Sequence, residues 1–241
     1  PDKYFLNNTE NAIKLFEICK KNGLKNIVFS STAAAYGNNQ QNNVNEKNRL
    51  NPKNPYAESK IKTENFLIEH QNNFNFIILR YFNVAGADQK LRSGQISDNA
   101  THLIKIISEL VVGKRKEIEV YGNDYKTTDG TPIRDYIHVS DLADIHVEVA
   151  KYLMLHNKSQ VFNCGYGKGY SVLEVIHSAA KICNKTLNYK VTNRRKGDVE
   201  KLVADISKIS KHINWKPKHD DIKTIIKSSI EWEKKLNEKN F

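Results

Sequence analysis

The chain has 241 residues, 39% hydrophobic and 27% charged, a balance ordinary for a folded domain with a sizeable core. No apolar run approaches the roughly 20 residues that a bilayer helix needs, and the start lacks the basic, apolar and small-residue order of a secretory leader, so the reading is cytoplasmic. A formal charge of +11 and a lysine-rich stretch from Lys216 to Lys239 raise nucleic acid as a partner, yet the lysines are scattered and no aromatic-basic stripe accompanies them.

From Asn7 to Lys21 the apolar positions Ala12, Leu15, Phe16 and Cys19 recur at helical spacing, and Gly23 stands where a left-handed cap closes a helix. The unalternated run Ile27-Val28-Phe29, ending in Ser30-Ser31-Thr32, reads as a buried parallel strand. After a polar, Asn-rich loop from Asn38 to Asn54, Pro55 opens a helix to about His70, followed by a strand from Phe76 to Tyr81. Strand and helix alternate, the pattern of an open α/β sheet.

Beyond Gly86 the pattern predicts a helix over 101–112, a strand over 118–121, a turn-rich stretch from Gly122 to Gly130 and a strand over 136–139. A helix from Ser140 to about His156 and a strand over 161–163 come next, and then Ser171 with Glu174 makes a capping box for a helix to Cys183. The remainder, with Trp215-Lys216-Pro217 between two helical stretches, reads as part of a smaller α/β lobe. Cys19, Cys164 and Cys183 are too widely spaced for a disulfide framework or a zinc site and are taken as reduced. His138 and His146 lack partners at ligand spacing and read as structural, so no metal is expected. Gly165, Gly167 and Gly169 do not make a dinucleotide fingerprint and read as a turn.

One pair stands out chemically. Tyr56 and Lys60 lie four apart on the helix that Pro55 opens, hence on one face, and an ammonium near a phenol favours the phenolate. A hydroxyl-to-carbonyl oxidation needs such a base. Upstream, Thr32 ends a strand at the carboxyl edge where open α/β sheets bind ligands; downstream, Arg80-Tyr81-Phe82-Asn83 ends the next strand at the same edge.

These strand ends, the Tyr-x-x-x-Lys helix, the segment Tyr121-Gly122-Asn123-Asp124-Tyr125 and the run Arg134-Asp135-Tyr136-Ile137-His138-Val139 resemble the UDP-glucose 4-epimerase family over essentially the whole chain. The resemblance implies a Rossmann-like doubly wound parallel sheet with a smaller C-terminal α/β substrate lobe. Residues 1–86 would carry the NAD side and 87–241 mainly the UDP-sugar side, with about 136–163 returning to the Rossmann sheet. It implies bound NAD, reached by Asn7, Thr32, Tyr56, Lys60 and Phe82. Tyr56 would take the proton from the sugar 4-hydroxyl while hydride leaves C4. Lys60 would hold the ribose and lower the tyrosine pKa, and Thr32 would bridge substrate and tyrosine. The 4-keto sugar would turn over and be reduced on its other face, interconverting UDP-glucose and UDP-galactose.

Substrate contacts are implied for Thr32, Tyr56, Asn83, His102, Leu103, Tyr121, Arg134, Arg195, Asp198 and Leu202. His102 stands where some relatives have asparagine, and the size of Leu202 bears on whether an N-acetyl group fits. Relatives pair the helices 7–21 and 56–70 into a homodimer. The chain opens on Pro1 and its one methionine is Met154, so an upstream segment of roughly 90 residues is expected, at about 30 per βα repeat. Without it, weak NAD binding and little activity are expected. A sugar-nucleotide 4,6-dehydratase or decarboxylase shares the fold, but Ala33-Ala34 stand where dehydratases carry an acid. A non-catalytic UDP-sugar-binding or basic nucleic-acid-binding remnant is the other alternative.

Overall fold

An apolar run with no alternation suits a strand covered on both faces, and the computed structural model, which describes residues 1–38, 43–97 and 99–238, uses it so. The middle of the Asn-rich loop (39–42), residue 98 and the last three residues, Lys239 among them, lie outside the described residues. Strand β1 (Asn26–Thr32) runs parallel to β2 (Asn75–Tyr81), and β2 pairs on its other side, again parallel, with β6 (Gln160–Cys164). The register sets Thr32 beside Tyr81 and Tyr81 beside Cys164, so the carboxyl ends finish level. Among the described residues the outer edge of β1 has no partner strand.

Helices cover both faces of this sheet. On one side, α2 (Asn11–Lys21) and α3 (Pro55–Glu69) bury Phe16 and Leu67 against Phe29, Phe76 and Ile78. On the other, α5 (Val139–His156) packs Ile145, Val149 and Leu153 with Ile77, Leu79 and Phe162. The doubly wound arrangement is therefore present. The helix expected to begin at Asn7 starts earlier, as α1 (Asp2–Phe5), and passes through a π-helical stretch, Leu6–Glu10, before α2. That widened turn is tied to α3: the Asn8 amide donates to Ser59 Oγ at 3.1 Å and the Thr9 hydroxyl to the Ser59 carbonyl at 2.9 Å.

Of the stretch 136–163 expected to return to this sheet, β6 pairs into it and α5 covers one face, while β5 (Ile133–His138) lies elsewhere. β5 pairs instead with β3 (Asn83–Ala85, parallel), β7 (Gly169–Ser171, antiparallel) and β9 (Lys201–Leu202, parallel), and Val139 opens α5 rather than ending a strand. A further parallel pair joins β4 (Ile118–Tyr121) to β8 (Tyr189–Thr192). Helices α4 (Leu103–Val111), α6 (Val172–Cys183) and α8 (Ile222–Glu238) pack together beside it, while α7 (Ser207–His212) lies under β6. The capping box of Ser171 and Glu174 is formed. Gly165 and Gly167 lie in a turn, but Gly169 is the first residue of β7, where a Cβ would fall 2.6 Å from an Ile133 methyl.

Candidate active site

Because β1 and β2 end level, the residues that leave them meet at one edge. Thr32 closes β1, Phe82 and Asn83 come directly after β2, and Tyr56 stands on the first turn of α3. That turn is fixed by Asn54, whose Oδ1 accepts the Ala57 N–H at 2.9 Å, and by Pro55 at the start. A cavity of about 860 Å³ opens there. Of the expected residues, Thr32, Tyr56, Phe82, Asn83, His102, Arg134, Asp198 and Leu202 line it. Asn7, Lys60, Leu103, Tyr121 and Arg195 do not. Tyr4, Lys53 and Tyr81 also line it, and sequence reasoning did not single them out. Tyr81 carried a signal in its place at the strand end; Tyr4 and Lys53 come from neighbouring segments that only the tertiary fold brings in.

The Thr32 hydroxyl lies near enough to the Tyr56 phenol to favour its ionised form, and it accepts the Ala34 N–H at 3.2 Å. Tyr4 meets the Tyr56 ring edge-on, with centroids 5.7 Å apart. Burial holds the Tyr56 phenol above its ordinary pKa, with the Tyr81 phenol adding to the shift and the nearby Thr32 hydroxyl opposing it. Lys60, expected to lower this pKa, lies one turn along the helix. Its ammonium donates to the Ser30 carbonyl at 3.0 Å and lies 5.1 Å from the Phe29 ring centre. A half-buried ammonium needs an acceptor, and the backbone oxygen of β1 supplies one. Burial pushes the Lys60 ammonium below its ordinary pKa.

Across the cavity, Arg134 leaves β5 and donates from Nη2 to Asp198 at 2.6 Å and from Nη1 to the Ile133 carbonyl at 2.9 Å. Leu202, its register partner in β9, is buried beside it. The neighbouring Asp135 carboxylate is fully buried and accepts the N–H groups of Tyr166, Gly167 and Ala204, although burial still pushes its pKa up to about 6. This carboxylate holds the glycine turn and the strand that bears Leu202 against β5. His102 precedes α4 in extended conformation with Nδ1 3.2 Å from the Gln95 amide nitrogen, whereas Leu103 turns toward the core.

Tyr121 and Arg195, both implied as substrate contacts, meet each other. The guanidinium lies 3.7 Å from the Tyr121 ring centre, and the Tyr121 hydroxyl bonds to Glu119. The loop carrying Arg195 and Asp198 rests on the segment before α3: a Cβ on Gly197 (φ +82°) would fall 3.1 Å from the Lys53 carbonyl oxygen. Among the described residues no cluster of His, Cys, Asp and Glu could hold a metal ion, and no helix is long and apolar enough to cross a membrane.

Comparison with known proteins bears on the family. Residues 1–165 match the sequence model of the NAD dependent epimerase/dehydratase family. A UDP-glucose 4-epimerase of Azospirillum brasilense is 42% identical over 240 residues, covering 99% of this chain and 69% of the relative. The crystal structure of UDP-glucose-4-epimerase from Stenotrophomonas maltophila with bound NAD and formylated UDP-arabinopyranose superposes with TM-score 0.96 at 31% identity, over 99% of this chain and 72% of that one. That from Bifidobacterium longum, in complex with NAD+ and UDP, gives 0.91 at 36% identity, over 100% and 72%. On sequence and on fold alike, the chain belongs to the NAD-dependent epimerase/dehydratase family.

Proposed function

We propose that this protein interconverts UDP-glucose and UDP-galactose using bound NAD. The observation that carries the reading is the meeting of Thr32 and Tyr56 with Asn83, His102, Arg134 and Asp198 around one cavity of about 860 Å³, large enough for a nucleotide sugar. The residues fit the cofactor. Tyr81, Phe82 and Val84 give flat and apolar wall against which a nicotinamide ring can lie. Among the described residues Lys60 Nζ makes a single hydrogen bond, to the Ser30 carbonyl, which leaves donors for a ribose diol. When bound, NAD accepts hydride from C4 of the sugar and returns it.

The remaining work falls to the chain. As the phenolate, Tyr56 Oη takes the proton of the sugar 4-hydroxyl and gives it back to the 4-oxygen of either epimer, so no proton is consumed. The Thr32 hydroxyl stands beside that oxygen and shares the proton's hydrogen bond. Arg134, held by Asp198, presents a guanidinium to the diphosphate, with Lys53 as a second cation at the rim. Asn83 and His102 supply polar contacts, and Leu202 bounds the sugar. Arg195 and Tyr121, stacked as a pair, make a ready platform for the uracil ring. Asn7, exposed on the π-helical turn, and Leu103, at the start of α4, are assigned by family resemblance. In this division residues 1–86 hold the cofactor side and 87–241 mainly the UDP-sugar side. The dehydratase alternative finds no support at the cavity, since the carboxylate lining it, Asp198, is paired with Arg134.

The test is conversion of UDP-galactose to UDP-glucose by the protein expressed from its full coding sequence. Activity is expected in the wild type, with a loss of roughly 10²–10⁴-fold in kcat for Tyr56→Phe; a wild type that folds and binds NAD but converts neither sugar would sink the assignment. We also infer a homodimer through helices 7–21 and 56–70. Support comes from Leu15 and Ile18, each 56% exposed on α2, and Ile68 at 40% on α3. Sedimentation velocity is expected to give twice the protomer mass, and Ile18→Lys to shift it to monomer. The three free cysteines favour a reducing compartment, in keeping with a cytoplasmic location.

A further inference from the structure

Below the cavity lies a closed polar cluster that never reaches it. Glu64 is fully buried on α3, four residues past Lys60 and eight past Tyr56, so the three share one stripe of the helix. Arg80, 4% exposed on β2, grips its carboxylate like a fork: Nε is 3.1 Å from both oxygens and Nη2 is 2.5 Å from Oε2. The Ser31 hydroxyl donates to the same carboxylate. On the far side Arg80 Nη1 donates to the Tyr36 phenol at 3.2 Å, and Tyr36 donates in turn to Asn163 Oδ1 on β6 at 2.6 Å.

The anchor points are telling. Ser31 directly precedes Thr32, Arg80 directly precedes Tyr81, and Tyr36 ends the 3-10 turn that comes after Thr32. An apolar pair of equal volume would fill this space at least as favourably, because burying an ion pair forfeits the hydration of both charges. What an apolar pair lacks is direction. Leucine against leucine lets a helix slide or roll, whereas a bidentate fork fixes both its height and its rotation.

We infer that Glu64 and Arg80 are a positioning pair for the reaction: by locking the rotation and axial register of α3 against β2 and, through Ser31, against β1, they set the approach of the Tyr56 phenol to the Thr32 hydroxyl. This inference rests on the role proposed above for Tyr56. Neither side chain touches the cavity, and both act through their neighbours. The groups facing the phenol itself are Thr32 from β1, Tyr81 from β2 and Tyr4 from α1, with Lys60 one turn further along α3.

Two variants of the full-length protein separate positioning from bulk stability. Glu64→Gln keeps the shape but leaves Arg80 with an unpaired buried charge, so reduced folding is expected. The double variant Glu64→Met/Arg80→Met replaces the pair with apolar volume and is expected to melt no lower than wild type. Kcat and KM per folded molecule are measured in both, together with the Tyr56 titration read by NMR of protein labelled at tyrosine 13Cζ, its resonance identified by its loss in Tyr56→Phe. In the stable double variant kcat is expected to fall roughly 10–100-fold, the scale of a misplacement of about 1 Å. KM is expected to stay within about threefold, since no substrate contact has been removed. The Tyr56 midpoint is expected to move up, because a more distant Thr32 hydroxyl supports the phenolate less. A double variant with wild-type kcat and an unmoved Tyr56 titration would overturn the inference. If the wild type converts neither UDP-sugar yet the Tyr56 midpoint still moves, the positioning stands and the functional assignment alone falls.

Discussion

His138 is buried, and its two ring nitrogens are spoken for: Nδ1 accepts the Ser140 N–H at 3.1 Å, so Nε2 carries the hydrogen and donates to Ser228 Oγ, also at 3.1 Å. Burial, reinforced by the His219 ring 4.5 Å away, pushes its pKa down to about 4 from the ordinary 6.5. Between those values the unfolded chain binds the proton that the folded one refuses. This contribution to stability is therefore complete above pH 6.5 and is lost progressively as pH falls toward 4. Thermal melts across that range are expected to decline, and the decline to be shallower in His138→Gln. The same ring explains Gly86. At φ +88°, with His138 Cδ2 only 2.6 Å from where a Cβ would stand, Gly86→Ala combines backbone strain with a clash. A loss of about 1–3 kcal/mol in urea unfolding is expected.

The start of helix α3 does double duty, since the Asn54 cap both begins the helix and fixes the turn that carries Tyr56. Asn54→Ala is expected to lower stability by about 1 kcal/mol and to lower kcat as well, which urea titration and steady-state assay would show. How far such features were legible depended on their range. The apolar run 27–29, the Pro55 helix start and the Tyr56–Lys60 spacing are local, and the sheet, helix and cavity position derive from them. The π-helical stretch over 6–10 was not legible because its polar ties run to Ser59, some fifty positions away. The two-residue strand β9 has too few residues to show a period and exists through its pairing with β5. Spacing put Lys60 on the face of Tyr56, but the carbonyl of Ser30 decided where its ammonium went. Arg195 over Tyr121 could not be read either, since nothing in two distant segments announces that they stack.

At the scale of the whole molecule, the last helix fastens the second half. Glu233, 1% exposed on α8, accepts from Lys105 on α4 and from Lys114 at 2.9 Å. Ser229 and Ser228 accept the N–H groups of Gly86 and Ala87, and Trp232 Nε1 donates to the Gln95 carbonyl at 3.1 Å. Glu233→Ala takes away the nearer carboxylate of the buried Lys105 charge, leaving Glu109 at 3.6 Å, and is expected to cost about 3 kcal/mol, measurable by urea unfolding. The distances in sequence are as telling as those in space: Trp232 and Gln95 are 137 positions apart, and β2 waits for β6 to be made before its second edge is paired. Contacts this distant in sequence slow the search for the native pairing, because loop-closure entropy is lost before they form. Apolar strands made before their last partners leave bare surface on a growing chain, the kind of surface that chaperones bind and proteases cut.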